Sequence, residues 1–331
     1  MKSISDAVRT WAQLNGEHWN TGLSPEGIRY AQGLASEELL TASFRSLPNP
    51  PKHLLIWCAS NVFTAPLEWV AQFAALGTKV TLKAPTACPA PVLAMADAFA
   101  DWGVTAHNKT HTEALELLED ADAVLAFGSD VSMTALNARI PPHVPRSLHG
   151  HRASLAIVEA ADSEATARGL YLDSAAYDSR GCMSPIAVFC LGDAEKLLAA
   201  LHSQWASKDR LPIGELSLAE QAHRNRRIGL AKILDTRNHH AGANHPREIL
   251  LPLEEFELLG LPRLLPIHPI KSLKDLDFLR GGPWSSCATD LAPDALTTLG
   301  FHRICKPGNL QRPPLHRFHD GIDVLAKLCI P

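Results

Sequence analysis

The chain has 331 residues, of which 46% are apolar and 20% are charged, and its formal net charge is −4. This composition predicts a globular protein with a core large enough for two domains, and the negative charge argues against a broad nucleic-acid surface. No apolar run reaches the roughly 18 residues that cross a bilayer, and the first residues lack the apolar segment of a signal peptide. We therefore expect no nucleic-acid partner and no membrane.

Cysteine and histidine usage sets expectations for compartment and metal content. The seven cysteines are an odd number, scattered along the chain without the spacing of a disulfide framework. A reducing cytoplasm is therefore expected. The sixteen histidines are mostly spread out, and the adjacent pair His239 and His240 falls in a polar segment. We predict no metal site from this pattern.

The first half of the chain alternates between apolar runs and segments with helical spacing. Helices are predicted within residues 1–46, and Pro48–Pro51 breaks the chain. Strands are then predicted over 53–59, 79–83, 104–106 and 121–127, and helices over 67–76, 89–102, 112–118 and 130–139. Continuous apolar runs of this length are typical of buried parallel strands. The alternation predicts an α/β fold with a doubly wound, Rossmann-type parallel sheet.

The second half continues the alternation after a proline-rich spacer at residues 141–145. Strands are predicted over 153–158, 186–190, 249–253 and 264–269, and helices over 163–172, 193–205, 214–234, 272–279 and 322–328. Residues 303–321 are predicted to be irregular. We expect three parts, which are a cofactor-binding domain with N-terminal helices over 1–150, a second, catalytic α/β domain over 151–300, and a C-terminal tail over 301–331 that packs back on both.

The stretch from Tyr177 to Pro185 holds one cysteine between a turn-prone segment and an apolar strand. Gly181 lets the backbone bend sharply before Cys182, and the proline that follows favours an extended entry into the strand. A thiol on such a turn can be reached by a substrate, and Arg180 could favour its thiolate form. Cys182 is therefore the candidate nucleophile, although most cysteines are packed spectators.

Five motifs follow one another in a specific order. They are Ser60-Asn61, Lys83, Gly128-Ser129, His149-Gly150-His151-Arg152 and the Cys182 stretch. In this order they resemble the aldehyde dehydrogenase superfamily. Together with Arg303-Ile304-Cys305 and His319-Asp320-Gly321, they are similar to the acyl-CoA reductase family, typified by the reductase subunit of the bacterial luminescence fatty-acid reductase complex. The resemblance covers roughly residues 50–331, and we expect the chain to lack much of the N-terminal part of that superfamily.

The resemblance implies an activity and a set of catalytic residues. The activity is NADPH-dependent reduction of an acyl thioester, on CoA or an acyl carrier protein, to an aldehyde through an acyl-cysteine on Cys182. Asn61 and the Cys182 backbone N–H would bind the developing oxyanion. His149 stands where related dehydrogenases carry a glutamate base, and its imidazole can move a proton near neutral pH. An imidazole activates water less well, which would suit a reductase.

The resemblance also implies which residues bind the cofactor. Lys83 would hold the adenosine ribose or its 2′-phosphate. Thr86 stands where NAD-preferring relatives often have a glutamate, and the absence of a carboxylate there favours NADPH. Gly128 and Ser129 at a helix N-terminus would contact the cofactor, but the same two residues also fit an ordinary helix cap.

Other functions stay open at this point. The same pattern fits an aldehyde dehydrogenase or an acyl-phosphate reductase, and it fits a catalytically silent scaffold or binding protein that kept the fold. The family resemblance also leaves two assemblies open, which are a homo-oligomer and a complex with partner enzymes of a reductase system.

Overall fold

A computed structural model describes residues 3–206, 211–234 and 248–329, and the His239-His240 pair lies outside these ranges. The described strands form two sheets in which every pairing is parallel. The prediction of an α/β fold with a doubly wound parallel sheet is confirmed. Within the same ranges, no helix is both long enough and apolar enough to cross a bilayer.

The chain divides into two compact units. The first contains the residues up to Thr21, Ile28–His151 and the residues from Pro314 onward, and the second contains Gly22–Gly27 and Arg152–Pro313. The chain therefore enters the first unit again at its C-terminal end. The assignment of a cofactor role to one unit and a catalytic role to the other remains a prediction.

In the first unit, strands alternate with helices after two N-terminal helices. The elements are α1 (Ile4–Ala12), α2 (Pro25–Glu37, whose first turn is counted with the second unit), β1 (His53–Trp57), α3 (Leu67–Ala75), β2 (Lys79–Lys83), α4 (Ala90–Ala98), β3 (Val104–His107), β4 (Ala123–Phe127), α5 (Asp130–Asn137) and β5 (Arg146–His149). The strand order is β3-β2-β1-β4-β5. The direction of winding therefore reverses between β1 and β4, and this is where open α/β sheets bind ligands at the carboxyl ends of the strands.

The apolar runs account for the centre of this sheet. Leu54 to Trp57 in β1 and all five residues of β4 are buried, as expected for strands covered on both faces. The N-terminal helix α1 begins with a capping box, in which Ser3 and Asp6 satisfy each other's backbone N–H groups. The apolar runs and the capping residues therefore agree with the observed structure for β1, β4 and α1.

The structure adds two details to the prediction for the first unit. Residues 146–149, which follow the proline spacer, form the edge strand β5, because the apolar Leu148 is flanked by polar residues and the run is too short to register as a strand. The predicted helix over 112–118 is a 3₁₀ helix, Glu113–Leu118. Its brevity fits the poorer hydrogen-bond geometry of that helix type.

The second unit contains a six-stranded sheet in the order β11-β10-β6-β7-β9-β8. Its elements are β6 (Ala153–Val158), α6 (Ser163–Ala175), β7 (Pro185–Cys190), α7 (Ala194–Ala206), α8 (Leu218–Ile233), β8 (Glu248–Leu250), β9 (Leu265–Pro269), β10 (Trp284–Ala288) and β11 (Arg303–Cys305). The adjacent strands β6 and β7 are buried along their whole length. The Cys182 stretch is the connection that enters β7.

The two strands β10 and β11 were missed, and residues 303–305 were wrongly predicted to be irregular. Strand β10 has a buried but partly polar sequence, Trp-Ser-Ser-Cys-Ala. Its Ser286 N–H donates to Ser154 Oγ at 3.1 Å, and Arg303 Nε donates to Ser286 Oγ at 3.3 Å. Neighbouring strands therefore satisfy the polar groups, a feature that the local pattern does not display. The helix predicted over residues 272–279 is a 3₁₀ helix, Leu273–Leu279.

The chain ends with helix α9 (Val324–Leu328) in the first unit. Asp323 caps this helix by accepting from the Ala326 N–H, and its other oxygen lies 2.7 Å from Arg45 Nη1. This ion pair joins two segments of the first unit that are 278 residues apart in sequence. It is one of the contacts that fix the last segment onto the unit.

Candidate functional site

The residues nominated for cofactor binding lie at the carboxyl ends of strands in the five-stranded sheet. Lys83 is the last residue of β2, and Thr86 is exposed three positions later. Gly128 and Ser129 connect β4 to α5, and the loop after β1 carries Asn61, which is also exposed. The sheet therefore brings these residues to one edge, which includes the point where the strand order reverses.

The N-terminus of α5 is already organised by the chain's own groups. Ser129 Oγ accepts from the Ser132 N–H at 3.2 Å, and the Gly128 N–H donates to the His149 carbonyl at 3.1 Å. Asp130 Oδ1 accepts from the His151 N–H at 2.9 Å, and an added Cβ on Gly150 would lie 2.0 Å from that oxygen. Ser129 is thus a helix cap in this structure, and its contact with a cofactor remains a proposal.

Lys83 places its ammonium group in a buried position against an aromatic ring. The residue is 1% exposed, and its Nζ lies 5.2 Å from the centre of the Trp57 ring. Burial lowers the pKa of Lys83, with the neighbouring Cys58 acting in the opposite direction. Among the residues that the structure describes, no oxygen accepts a hydrogen bond from Nζ and no carboxylate pairs with it. Since a buried charge without a partner is costly, this is a site that an anion would stabilise.

His149 lies at the end of β5 with both ring nitrogens engaged. Nδ1 donates to Asp320 Oδ2 at 3.3 Å, and Nε2 lies 3.0 Å from Ser147 Oγ. The ring stacks on Phe127 with centroids 5.4 Å apart and meets His319 edge-on at 4.4 Å. Because a carboxylate only accepts, Asp320 places the proton on Nδ1 and leaves Nε2 as the basic nitrogen.

His319 and Asp320, which the sequence contributed only as part of a motif, complete a buried cluster around His149. Arg317 Nη2 donates to His319 Nδ1 at 3.2 Å, and Arg317 in turn pairs with Glu68 at 2.8 Å. Burial, together with the nearby His149 and Arg317, lowers the pKa of His319 to about 3. His319 therefore stays neutral at physiological pH, with its proton on Nε2.

The same cluster has the spacing of a metal site. One ligand atom each from His149, His319 and Asp320 lies within 4.8 Å of the other two. However, the guanidinium of Arg317 contacts His319 directly, and a cation at this position would meet that positive charge. We therefore interpret the cluster as a hydrogen-bonded network that sets the tautomer of His149.

The Cys182 stretch is a strained turn held by a buried ion pair. Asp178 and Ser179 have φ angles of 51° and 58°, in the left-handed region that non-glycine residues rarely adopt. Arg263 Nε donates to Asp178 Oδ1, and both side chains are 1% exposed. The Gly214 N–H donates to Asp178 Oδ2 at 2.9 Å. The surrounding structure thus holds the backbone in the conformation that precedes the cysteine.

Arg180, expected from the sequence to favour a thiolate, is used to hold the turn. Its Nε donates to Glu220 Oε1 at 3.1 Å, and its two terminal nitrogens donate to the carbonyls of Gly22 and Glu215 at 2.9 Å and 2.6 Å. These contacts tie the turn to α8 and to residues 22–27. An effect of Arg180 on the Cys182 thiol remains a prediction.

Cys182 differs from the other cysteines in its surroundings. It is partly exposed, whereas five of the other six cysteines are buried, and Cys305 is the second partly exposed one. Burial raises the pKa of each of the other six thiols, to about 11 or 12 for Cys58, Cys88, Cys190 and Cys305, and upward for Cys287 and Cys329. Since the thiolate is the nucleophile, these six are poor candidates.

The peptide that carries Cys182 is fixed on both sides. Ser154 Oγ donates to the Cys182 carbonyl at 2.7 Å. Gln311 Nε2 donates to Ser184 Oγ at 3.0 Å and to the Asp173 carbonyl at 2.9 Å. Gln311 belongs to a segment that follows β11, so a late part of the chain positions the residues after the cysteine. Sequence reasoning did not find Ser154 or Gln311, because neither has a local signature.

Asp173 anchors this late segment to α6. Its carboxyl oxygens accept from the N–H groups of Gly308 at 2.7 Å and Leu310 at 2.9 Å. Burial nevertheless raises the pKa of Asp173 to about 7, because the desolvation of the carboxylate outweighs these hydrogen bonds. Gly169 in α6 lets the segment approach, since a Cβ there would lie 2.4 Å from the Pro307 carbonyl carbon.

This pKa predicts a pH-dependent stability. The folded-state pKa of about 7 lies above the unfolded value of about 3.9, so the contribution of Asp173 is fully present below about pH 4 and is lost as pH rises through about 7. The loss reaches about 4 kcal/mol of unfolding free energy. We expect Asp173→Asn to gain stability relative to the parent protein between pH 4.5 and 7.5 (about 3 units), measured by urea unfolding across that range.

The exposed Asp294 provides the matched control. Asp294→Asn should change the free energy of unfolding little, because it replaces an exposed side chain. Comparing each variant with the parent cancels the opposing contributions of buried histidines such as His268, whose pKa is lowered by burial to about 4. A constant difference between Asp173→Asn and the parent would contradict the raised pKa.

Parts of this sequence match known proteins. Residues 103–330 match the family described as acyl-CoA reductase (LuxC). Over 121 residues the chain is 34% identical to the long-chain acyl-protein thioester reductase of Aliivibrio fischeri, covering 35% of this chain and 25% of that protein. Over 185 residues it is 25% identical to long-chain acyl-protein thioester reductase 2 of Photobacterium leiognathi, covering 51% and 38%. The matches therefore span less than half of either relative.

Solved structures give the fold. An oxidoreductase from Marinobacter aquaeolei superposes with a TM-score of 0.68 at 14% identity, covering 94% of this chain and 77% of that one. An acetylating aldehyde dehydrogenase from Geobacillus thermoglucosidasius superposes with a TM-score of 0.67 at 12% identity, covering 96% and 85%. The predicted aldehyde-dehydrogenase-like fold is thus confirmed.

Proposed function

Since this chain belongs to the acyl-CoA reductase (LuxC) family, we propose that it reduces an acyl thioester to an aldehyde, using NADPH and an acyl-cysteine on Cys182. The observation that carries the proposal is the state of the cysteines. Cys182 is partly exposed on a held turn, whereas burial disfavours the thiolate of each of the other six. The thioester would be carried by CoA or by an acyl carrier protein.

The proposed chemistry begins at the Cys182 sulfur. The thiolate attacks the thioester carbonyl carbon, the carbonyl electrons move to oxygen, and the thiol carrier leaves as the carbonyl re-forms on the cysteine. The Cys182 backbone N–H and the Asn61 side-chain amide would donate to the transient oxyanion, at about 3 kcal/mol per donor. A bound NADPH would supply the hydride for the acyl carbon on Cys182, and the resulting thiohemiacetal would break its C–S bond to release the aldehyde and the Cys182 thiolate.

His149 would manage the proton in this sequence. The thiohemiacetal oxygen must gain and then lose a proton, and an imidazole with one basic nitrogen performs both steps. The contact between Nδ1 and Asp320 supports this role, because it makes Nε2 the basic nitrogen. Ser147, which lies against Nε2, would pass the proton on or move aside.

The chain's own residues fit a phosphorylated nicotinamide cofactor. Lys83 is a buried cation without a partner among the described residues, so the 2′-phosphate would supply the missing counter-charge. Thr86, exposed beyond β2, presents no carboxylate that would repel it. Gly128 and Ser129, at the N-terminus of α5, would face the nicotinamide side of the cofactor. These features support NADPH over NADH.

The domain roles and the setting belong to the same proposal. The first unit would bind the cofactor and the second would carry the nucleophile. No disulfide joins the seven cysteines in the part of the chain that the structure describes, which supports a reducing compartment such as the cytoplasm. A homo-oligomer or a complex with partner enzymes would be the working assembly, and native mass spectrometry would measure the subunit number.

The proposal is tested by supplying substrates of each competing class. The purified chain is incubated with acyl-CoAs or acyl carrier protein thioesters of several lengths and with NADPH or NADH, while nicotinamide oxidation and aldehyde formation are followed. We expect NADPH consumption matched by aldehyde with a thioester. Turnover only with an acyl phosphate, or only with an aldehyde and oxidised cofactor, would replace the proposed reaction. Cofactor binding without turnover on any substrate would identify a silent relative.

A further inference from the structure

An imidazole that the proposed chemistry does not use lies against the same aromatic ring as Lys83. The loop after β3 carries His111, which is exposed and whose ring centroid lies 5.1 Å from that of Trp57. Lys83 Nζ lies 5.2 Å from the same indole. Trp57, Lys83 and His111 thus form one group at the carboxyl ends of β1, β2 and β3, with a buried cation and an exposed imidazole on a shared aromatic ring.

The electrostatics of this group are unbalanced. Burial and the charge of Lys83 lower the pKa of His111, so the imidazole is neutral at physiological pH. Burial also lowers the pKa of Lys83. Both shifts report that positive charge is accommodated poorly here, and a nearby dianion would reverse both of them.

We propose that His111 binds the 2′-phosphate of the cofactor together with Lys83, and that it takes up a proton from solvent when it does so. The inference rests on the proposed use of NADPH. A phosphate monoester carries close to two negative charges near neutral pH, enough to pair with Lys83 and with one protonated imidazole. The ring would then donate a charge-assisted hydrogen bond to a phosphate oxygen. NADH, which lacks the 2′-phosphate, would leave His111 neutral.

Several other titratable groups surround this site. His107 is opposite Lys83 in the β2–β3 register, and Cys58 follows β1. In the loop and the 3₁₀ helix that follow β3, Lys109 contacts Glu116, and Glu113 accepts from the N–H and hydroxyl of Thr110. The two carboxylates are thus paired locally, and burial raises the pKa of Cys58 to about 12. Among these groups, His107 is the one that competes with His111 as the proton acceptor. The experiment must therefore distinguish His107 from His111.

The experiment measures binding without turnover. Adenosine 2′,5′-bisphosphate and AMP are titrated into the full chain by calorimetry at pH 6.5 (close to the ordinary imidazole pKa of about 6.5) in two buffers of different ionisation enthalpy. After allowance for the ionisation of each ligand's own phosphates, we expect the bisphosphate to bind with proton uptake at His111 and AMP to bind without it. His111→Gln should remove the proton uptake and weaken the bisphosphate about tenfold at this pH. At about pH 8 the loss should fall below about twofold, and AMP should be unaffected.

Two histidine variants serve as matched controls. One replaces His143, an exposed residue after α5, by Gln, and the other is His107→Gln. Both variants should retain the proton uptake and should bind the bisphosphate as tightly as the parent protein does. Uptake that persists in His111→Gln, or that disappears in His107→Gln, would overturn the inference while leaving the proposed reductase intact. A parent protein that binds the bisphosphate no better than AMP would instead overturn the NADPH assignment and, with it, this inference.

Discussion

Replacement of Cys182 by alanine is expected to abolish reductase turnover, by at least about a thousandfold, and to abolish acylation of the protein. The reason is that the proposed reaction passes through a thioester on this sulfur, so no partial function survives its removal. The measurement combines NADPH oxidation with intact-protein mass after exposure to an acyl thioester. Parent protein should gain the mass of one acyl group, and Cys182→Ala should gain none.

Cys305 is the matched control for this prediction. It is the only other partly exposed cysteine, and burial raises its pKa to about 11. Cys305→Ala should therefore keep both the adduct and the turnover. An acyl adduct that survives in Cys182→Ala, or that maps by peptide mass spectrometry to another cysteine, would overturn the assignment of the nucleophile without changing the fold.

Arg263→Met is expected to destabilise the protein by about 3 kcal/mol, because it removes the nearer of the two arginines that pair with the buried Asp178 carboxylate and leaves only Arg180, at 3.8 Å. Arg263 also donates to the Ala175 carbonyl at 3.0 Å, and its guanidinium lies 5.5 Å from the Trp205 ring centre. These contacts hold Asp178 in its left-handed conformation, four residues before Cys182. Urea unfolding measures the loss, and acylation of Cys182 should slow in parallel.

Two further variants separate the buried charge from a general effect of losing an arginine. Arg226→Met removes an ion pair with Glu257 whose side chains are 58% and 34% exposed, and it should cost less than about 1 kcal/mol. Adding Asp178→Asn to Arg263→Met removes the stranded charge and should recover part of the loss. Equal costs for Arg263→Met and Arg226→Met would show that the buried pair contributes no special stability.

Local sequence pattern was sufficient for most of the scaffold. Continuous apolar runs predicted β1, β4, β6 and β7, because a strand covered on both faces needs apolar side chains at successive positions. The turn at Gly181 and Cys182 was also legible, since a glycine and a following proline limit what the backbone can do. The strands that the local pattern did not predict, β5, β10 and β11, are short and carry polar side chains, whose partners the local sequence does not display.

The arrangement of charges around the candidate sites was decided by tertiary structure alone. Asp178 meets Arg263 across 85 residues, and His149 meets Asp320 across 171. The grouping of Lys83, Trp57 and His111 likewise depends on three parallel strands ending at one edge. The order of apolar and turn-forming residues specifies which segments become strands and helices, because those choices depend on neighbours in the chain. Which polar groups become partners depends on how the strands are ordered in space, and no local periodicity encodes that order.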